Sequence, residues 1–161
     1  MGSACSTRCR KKAASAGDAE AVRWPHLSER LEQHRGGINC LALSEDHSLL
    51  VSGSEDGRVL LWSSQSTPVE LLGTLSGHEG YVTHCTVHGN YVVTGSADGT
   101  VRKWSIVDAK CVHVFHGHGA RVNRVLCTGD LVISTSHDKT ARAWRFNADL
   151  DVQVTPLPDL S

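Results

Sequence analysis

The chain has 161 residues, of which 40% are apolar and 20% charged, and its formal net charge at pH 7 is −1. These proportions are typical of a globular protein, and the near-neutral charge gives no electrostatic basis for nucleic-acid binding. No apolar run reaches the roughly 18 residues of a membrane-spanning helix, and the N-terminus lacks the apolar stretch of a secretory signal peptide.

The N-terminal segment carries a lipidation pattern. Residues 1–6 match the pattern for N-myristoylation, with Gly2 exposed after removal of the first Met, and Cys5 or Cys9 could take a second acyl chain. Four basic side chains and no acidic one lie within the first twelve residues: Arg8, Arg10, Lys11 and Lys12. Because a second chain or a basic patch turns marginal membrane binding into stable anchoring, the segment predicts lipidation at these three positions. The competing interpretation is a plain basic tail.

Residues 13–30 consist of Ala, Ser and charged residues with few strand formers. We therefore predict that residues 1–30 are a disordered basic segment and linker. Six cysteines stand at positions 5, 9, 40, 85, 111 and 127 and form no Cys-x-x-Cys pair. We expect reduced thiols in a cytoplasmic protein, since free cysteines scattered among apolar runs behave as small buried residues.

A His, an Asp and a Trp recur three times along the remaining chain. The His stands at 34, 78 and 118, the Asp at 56, 98 and 138, and the Trp at 62, 104 and 144. Self-similarity at a period of about 40 residues indicates a repeat architecture, in which each unit needs neighbours to bury its faces. The three units span about 34–76, 77–116 and 117–155, and residues 156–161 form a tail.

Each unit contains short runs of Val, Ile, Leu and Thr bounded by Gly, Asp, Asn and Ser, which predicts strands joined by tight turns. No sustained period of 3.6 residues follows residue 34, so helices are not expected there. The predicted strands span about 38–43, 49–54, 59–63 and 69–75, then 82–87, 91–96, 101–105 and 111–115, then 122–127, 131–136, 141–146 and 151–155.

These marks give the chain a resemblance to WD-repeat proteins over about residues 34–155. The resemblance implies an all-β fold: a partial β-propeller of about three four-stranded antiparallel blades. Five positions depart from the family pattern. Gln33 replaces the Gly before the first His, Lys139 replaces a turn Gly, and Ser63, Ser105 and Arg145 replace the Asp after each Trp.

The resemblance also implies a structural role for the repeated polar residues. In WD-repeat blades the Trp N–H, a hydroxyl, the His ring and the Asp carboxylate form one hydrogen-bonded chain, which their donor and acceptor groups allow. The matching sets are His34, Ser52, Asp56 and Trp62; His78, Thr94, Asp98 and Trp104; and His118, Ser134, Asp138 and Trp144.

Two chemical alternatives are weaker. Ser, His and Asp together are typical of a hydrolase, but an enzyme needs one such site, whereas this chain has three equivalent sets and no Gly-x-Ser-x-Gly sequence. His113, His116 and His118 cluster, but His118 belongs to its blade network. We therefore predict no catalytic residues, no metal and no cofactor.

Three blades do not close a ring, because propellers have four to eight. One interpretation is a fragment, a shortened isoform or an incomplete gene model of a longer propeller; the other is a ring completed by association. The first is simpler, and the proline-containing run at 154–161 fits an abrupt end.

The resemblance implies a scaffold that presents a propeller face to protein or peptide partners, without nucleic acid or a small-molecule substrate. The family's usual contact surface carries the His-containing loops and the Asp turns. By position, the candidate contacts are Gly37, Asn39, Glu55, Tyr81, Thr83, Ala97, Arg121, Asn123 and His137. Tyr81 and Arg121 are the leading ones, since Tyr and Arg are favoured interface anchors. The alternatives are a subunit that recruits substrates to a larger enzyme complex, and an autonomous hydrolase.

Overall fold

The computed structural model describes residues 29–145, which contain eleven strands and no helix. The strands are β1 (Ile38–Leu43), β2 (Leu49–Ser54), β3 (Val59–Ser63), β4 (Glu70–Leu75), β5 (Val82–His88), β6 (Tyr91–Ser96), β7 (Val101–Ser105), β8 (Cys111–Phe115), β9 (Val122–Thr128), β10 (Leu131–Ser136) and β11 (Ala141–Arg145). Within this range no helix is long and apolar enough to cross a membrane.

The strands form three antiparallel sheets in which each strand pairs with the next along the chain. The first sheet contains β1 to β4, the second β5 to β8, and the third β9 to β11. The predicted all-β partial propeller is confirmed, and each sheet corresponds to one blade. The predicted strand 151–155, the tail 156–161 and the lipidation residues Gly2, Cys5 and Cys9 lie outside the described residues.

The strand bounds differ from the prediction by one residue at a few ends. β5 and β9 each run one residue further, because the pairs His88–Tyr91 and Thr128–Leu131 close the ladder at a two-residue turn. Each turn begins with a Gly at positive φ, 52° and 55°, which is the conformation that such a hairpin requires at its first position.

The turns between the second and third strands also need a positive φ. Gly57 and Gly99 provide it with φ values of 75° and 80°, and Lys139 adopts 73° at the same place in the third sheet. A side chain in this conformation costs about 1–2 kcal/mol. The substitution of Lys for Gly therefore weakens the third turn without changing its shape.

Two apolar cores hold the sheets together. The core between the first two sheets includes Val51, Val59, Val82 and Trp104, and the core between the last two is its counterpart, with Trp144 in the position of Trp104.

Gly53 and Gly95 allow this close approach, since an added Cβ would lie 2.7 Å from Val82 Cγ1 and 2.5 Å from Val122 Cγ1. Both atoms belong to the first strand of the next sheet, and at Gly53 the added Cβ would also lie 2.6 Å from Cys40 Sγ in its own sheet. Glycine at this position therefore leaves room for the neighbouring sheet.

The two end sheets leave apolar side chains exposed. Leu41 in the first sheet is 64% exposed, whereas its counterpart in the second, Cys85, is 2% exposed against the preceding sheet. Leu126 in the third sheet is 62% exposed. The described residues therefore form an arc of three packed sheets whose two outer faces are open.

Candidate functional site

A buried chain of hydrogen bonds joins four side chains of the second sheet. Trp104 Nε1 donates to Thr94 Oγ1 at 2.8 Å, and that hydroxyl lies 2.7 Å from His78 Nε2. His78 Nδ1 lies 2.8 Å from Asp98 Oδ2. Because the Thr94 oxygen accepts from the indole N–H, the hydroxyl hydrogen donates to His78 Nε2. Nε2 is then the acceptor of the ring, so Nδ1 carries the hydrogen and donates to the carboxylate.

The other two sheets carry the same chain. In the first, Ser52 Oγ lies 2.9 Å from Trp62 Nε1 and 2.8 Å from His34 Nε2, and Nδ1 of that ring lies 3.2 Å from Asp56. In the third, the corresponding distances among Trp144, Ser134, His118 and Asp138 are 2.9, 2.8 and 2.7 Å. The structure thus brings together all three sets of four residues.

Each carboxylate also fastens a loop to a turn. Asp98 accepts from the backbone N–H of Glu79 at 3.1 Å, and from the backbone and hydroxyl of Thr100 at 2.8 and 2.6 Å. Asp138 has the same contacts with Gly119 and Thr140. The loop that contains the His is therefore held against the turn that contains the Asp.

The first sheet replaces the threonine by an arginine. Arg58 Nη2 donates to Asp56 Oδ2 at 2.8 Å and to the backbone carbonyl of Gln33 at 3.2 Å. The sequence interpretation missed this position, two residues after each Asp. Its signal was a hydrogen-bond donor at the same spacing in every unit: Arg58, Thr100 and Thr140.

The ionisation of the network follows from burial and hydrogen bonding. Burial acts to raise the pKa of Asp98, but hydrogen bonds from Thr100 and His78 outweigh it and hold that pKa at about 2. Burial lowers the pKa of His78 more than the bond to Asp98 raises it. At neutral pH the network therefore holds a carboxylate and a neutral imidazole, which is the protonation state that its hydrogen-bond directions require.

This assignment predicts acid sensitivity. We expect the free energy of unfolding to be nearly constant between about pH 7 and pH 8 and to fall below about pH 6.5, because the unfolded chain then binds a proton at His78 that the folded protein does not bind. His84, whose pKa burial also lowers, acts in the same direction. A second fall follows between about pH 3.9 and pH 2, because the unfolded chain then binds a proton at Asp98 that the folded protein does not yet bind. Urea denaturation from pH 8 to pH 2 measures the profile.

His78→Gln should reduce the fall that begins near pH 6.5, because the titrating group is gone. His137→Gln, at an exposed position on the turn before Asp138, serves as the control and should leave the profile unchanged. Equal stability at pH 7 and pH 5 in the unmodified chain would contradict the assignment.

The networks are not arranged for hydrolysis. A catalytic hydroxyl must reach a substrate, but Ser52, Thr94 and Ser134 are at most 2% exposed. Among residues 29–145 no group of three or more His, Cys, Asp or Glu side chains is placed to hold a metal ion. The His118 ring is committed to its network, while His116 is exposed. The arrangement therefore stabilises loops and has no reactive group open to solvent.

The candidate partner-binding residues form pairs at the edge of the sheets where the His-containing loops meet the Asp turns. The backbone N–H of the residue before each Asp donates to the carbonyl three residues after each His. The bonds run from Glu55 to Gly37 at 2.9 Å, from Ala97 to Tyr81 at 2.9 Å, and from His137 to Arg121 at 3.0 Å. Five of these six residues are exposed, and we call them the rim residues: Gly37, Glu55, Tyr81, Arg121 and His137.

The residues five positions after each His have another contact. Asn39 Nδ2 donates to the Val82 carbonyl at 2.9 Å, and Thr83 Oγ1 donates to the Val122 carbonyl at 2.7 Å. Each bond reaches from one sheet to the first strand of the next. These two side chains therefore join neighbouring sheets, a role that the sequence interpretation did not assign, and the third member, Asn123, is exposed.

Comparisons with known proteins match the three repeats. A family model described as "WD domain, G-beta repeat" matches residues 26–63, 69–105 and 109–145. WD repeat-containing protein 37 of Mus musculus is 34% identical over 132 residues, which cover 79% of this chain and 26% of the relative.

Two further relatives are similar over most of the chain. WD repeat-containing protein pop2 of Schizosaccharomyces pombe is 31% identical over 147 residues, which cover 81% of this chain and 20% of that protein. Telomerase protein component 1 of Mus musculus is 29% identical over 141 residues, which cover 86% of this chain and 5% of that protein. The chain thus spans about a quarter or less of the length of these relatives.

Proposed function

The chain belongs to the WD-repeat family, and from that premise we propose that it is a protein-interaction scaffold whose rim residues contact protein or peptide partners. WD-repeat proteins are in general scaffolds for protein interactions, and the family is typically non-enzymatic. The finer proposal is that this chain contributes its three blades to a longer propeller and carries out no chemistry of its own.

The observation that carries the proposal is the fixed geometry of the exposed rim. Tyr81 is 39% exposed, and its carbonyl is held by the backbone N–H of Ala97. Arg121 is exposed, and His137 holds it in the same way. Because the networks beneath fix both loops, binding a partner costs little ordering of the backbone, and preorganisation of this kind favours affinity.

A subunit that recruits substrates to a larger enzyme complex would use the same rim. The two functions differ in what is captured with the chain, since a recruiting subunit brings an enzyme and its substrate into one assembly. An autonomous hydrolase is disfavoured by the burial of the repeated hydroxyls.

We predict that Tyr81→Ala with Arg121→Ala reduces partner binding at least tenfold. Interface hot spots, in which Tyr and Arg are enriched, are worth about 2 kcal/mol or more each, and a tenfold loss corresponds to about 1.4 kcal/mol. The measurement is quantitative mass spectrometry of proteins captured by the wild-type chain, followed by direct affinity measurement with each purified partner.

Val107→Ala is the matched control, because Val107 is 83% exposed and lies between β7 and β8, away from the rim. Partners retained by the rim variant and lost by the control would place the contact surface elsewhere. An enzyme with its substrate among the proteins lost by the rim variant would favour the recruiting function.

The proposal extends to location. We propose a cytoplasmic protein that is held at a membrane surface through lipidation of Gly2, with Cys5 and Cys9 as further acylation sites. Its support is the sequence pattern, because these residues lie outside the described part of the chain.

A further inference from the structure

Two cysteine thiols meet at the boundary between the first and second sheets. Cys40 lies on β1 and Cys85 on β5, and both belong to the apolar core between these sheets. The Cys40 sulfur lies at this boundary, since a Cβ added at Gly53 would lie 2.6 Å from Cys40 Sγ and 2.7 Å from Val82 Cγ1 of the second sheet. The neighbouring bond from Asn39 to the Val82 carbonyl holds the two strands side by side. The two cysteines therefore pack in one core on neighbouring strands of two blades, 45 positions apart in sequence.

The contact makes the two thiols unequal. Hydrogen bonds from Cys85 and from the backbone N–H of Gly53 lower the pKa of Cys40 against the effect of its burial. The bond to Cys40, together with burial, raises the pKa of Cys85. Cys40 is partly exposed and Cys85 is buried. The pair therefore combines a more acidic, more accessible thiol with a buried second thiol, which is the arrangement of redox-sensitive cysteines.

The arrangement is specific to this boundary. In the next one, His84 and Val125 occupy the positions of Cys40 and Cys85, and the Val125 backbone N–H donates to the His84 ring. The other two thiols of the described chain, Cys111 and Cys127, have pKa values that burial raises. Of the four described thiols, Cys40 alone has a lowered pKa.

We propose that Cys40 and Cys85 are a peroxide-sensitive pair, in which oxidation of Cys40 leads to a disulfide that joins the first two blades. The Cys40 thiolate attacks one oxygen of hydrogen peroxide, the O–O bond breaks, and hydroxide leaves as Cys40 becomes a sulfenic acid. The Cys85 sulfur then attacks the Cys40 sulfur, the S–O bond breaks, and the departing hydroxide takes the Cys85 thiol proton and leaves as water when the disulfide forms. Hydrogen peroxide is the oxidant, and both thiols are oxidised.

The test exposes the full-length chain to hydrogen peroxide, blocks remaining thiols with an alkylating reagent, and maps the disulfide-linked peptides by mass spectrometry. We expect the Cys40–Cys85 linkage as the main product. Cys111 and Cys127 should remain reduced during the exposure and should then be found alkylated. Cys85→Ala should leave the sulfenic acid on Cys40 without its partner, and dimedone should trap it. Cys40→Ala should abolish both products at low peroxide, while Cys111→Ala, at an exposed edge strand, serves as the control and should change neither.

Three outcomes would overturn the proposal. The first is preferential oxidation of Cys111 or Cys127 while Cys40 and Cys85 remain reduced. The second is a dominant linkage that excludes either residue of the pair. The third is a folded Cys85→Ala chain, shown by an unchanged circular dichroism spectrum, that gives no dimedone adduct at Cys40.

Discussion

Replacing Trp104 by alanine is expected to lower the free energy of unfolding by about 3–5 kcal/mol. The side chain is 1% exposed and packs in the core between the first and second sheets. Its removal leaves a cavity between two sheets and also takes away the indole donor to Thr94. Because a domain of this size has a total stability of about 5–15 kcal/mol, the loss removes at least about a fifth of it.

Urea denaturation of the wild-type and variant chains measures this loss. Trp104→Phe keeps an aromatic ring and removes the N–H donor, so it should cost less than the alanine variant and report mainly on the hydrogen bond to Thr94. Val107→Ala, at an 83% exposed position, should stay within about 0.5 kcal/mol of wild type. A cost below about 1 kcal/mol for Trp104→Ala would show that the second sheet does not depend on this side chain.

Local sequence signals were sufficient to predict the strands. Each strand lies between turn residues. In the first two units the turn after the second strand carries Gly where a positive φ is required, as Gly99 does with a φ of 80°, and Lys139 takes that place in the third. Since the same pattern occurs three times, an error in one unit would have been visible against the other two. The predicted bounds therefore differ from the structure by single residues at the strand ends.

Contacts between sheets were harder to predict, because they depend on how one blade packs on the next. Asn39 and Thr83 stand at positions read as partner contacts, and their bonds to Val82 and Val122 become visible only when the sheets are placed together. The contact between Cys40 and Cys85 is of the same kind, with no local signal in either strand. The donor two residues after each Asp was predictable in principle from its constant spacing.

Replacing Gly2 by alanine is expected to move most of the protein from the membrane fraction to the cytosol. An N-myristoyl chain requires glycine at this position, and a single chain binds a bilayer with an association constant of about 10⁴ M⁻¹. Acylation of Cys5 or Cys9 would convert that reversible binding into stable retention. Since the cysteines meet a membrane-bound acylating enzyme only while the protein is at the membrane, loss of the first chain removes both anchors.

The variants separate these contributions. Cys5→Ser with Cys9→Ser should leave reversible binding through the myristoyl chain and reduce retention only partly. Neutralising Lys11 and Lys12 should weaken binding to anionic membranes by about 1 kcal/mol per charge, an effect that high salt would mask in the wild type. Ser3→Ala, next to the acylated residue, is the matched control and should leave the distribution unchanged. Mass spectrometry of the N-terminal peptide supplies the direct measurement. An unlipidated peptide, or a Gly2→Ala protein that remains with the membrane fraction, would return this segment to the alternative of a plain basic tail.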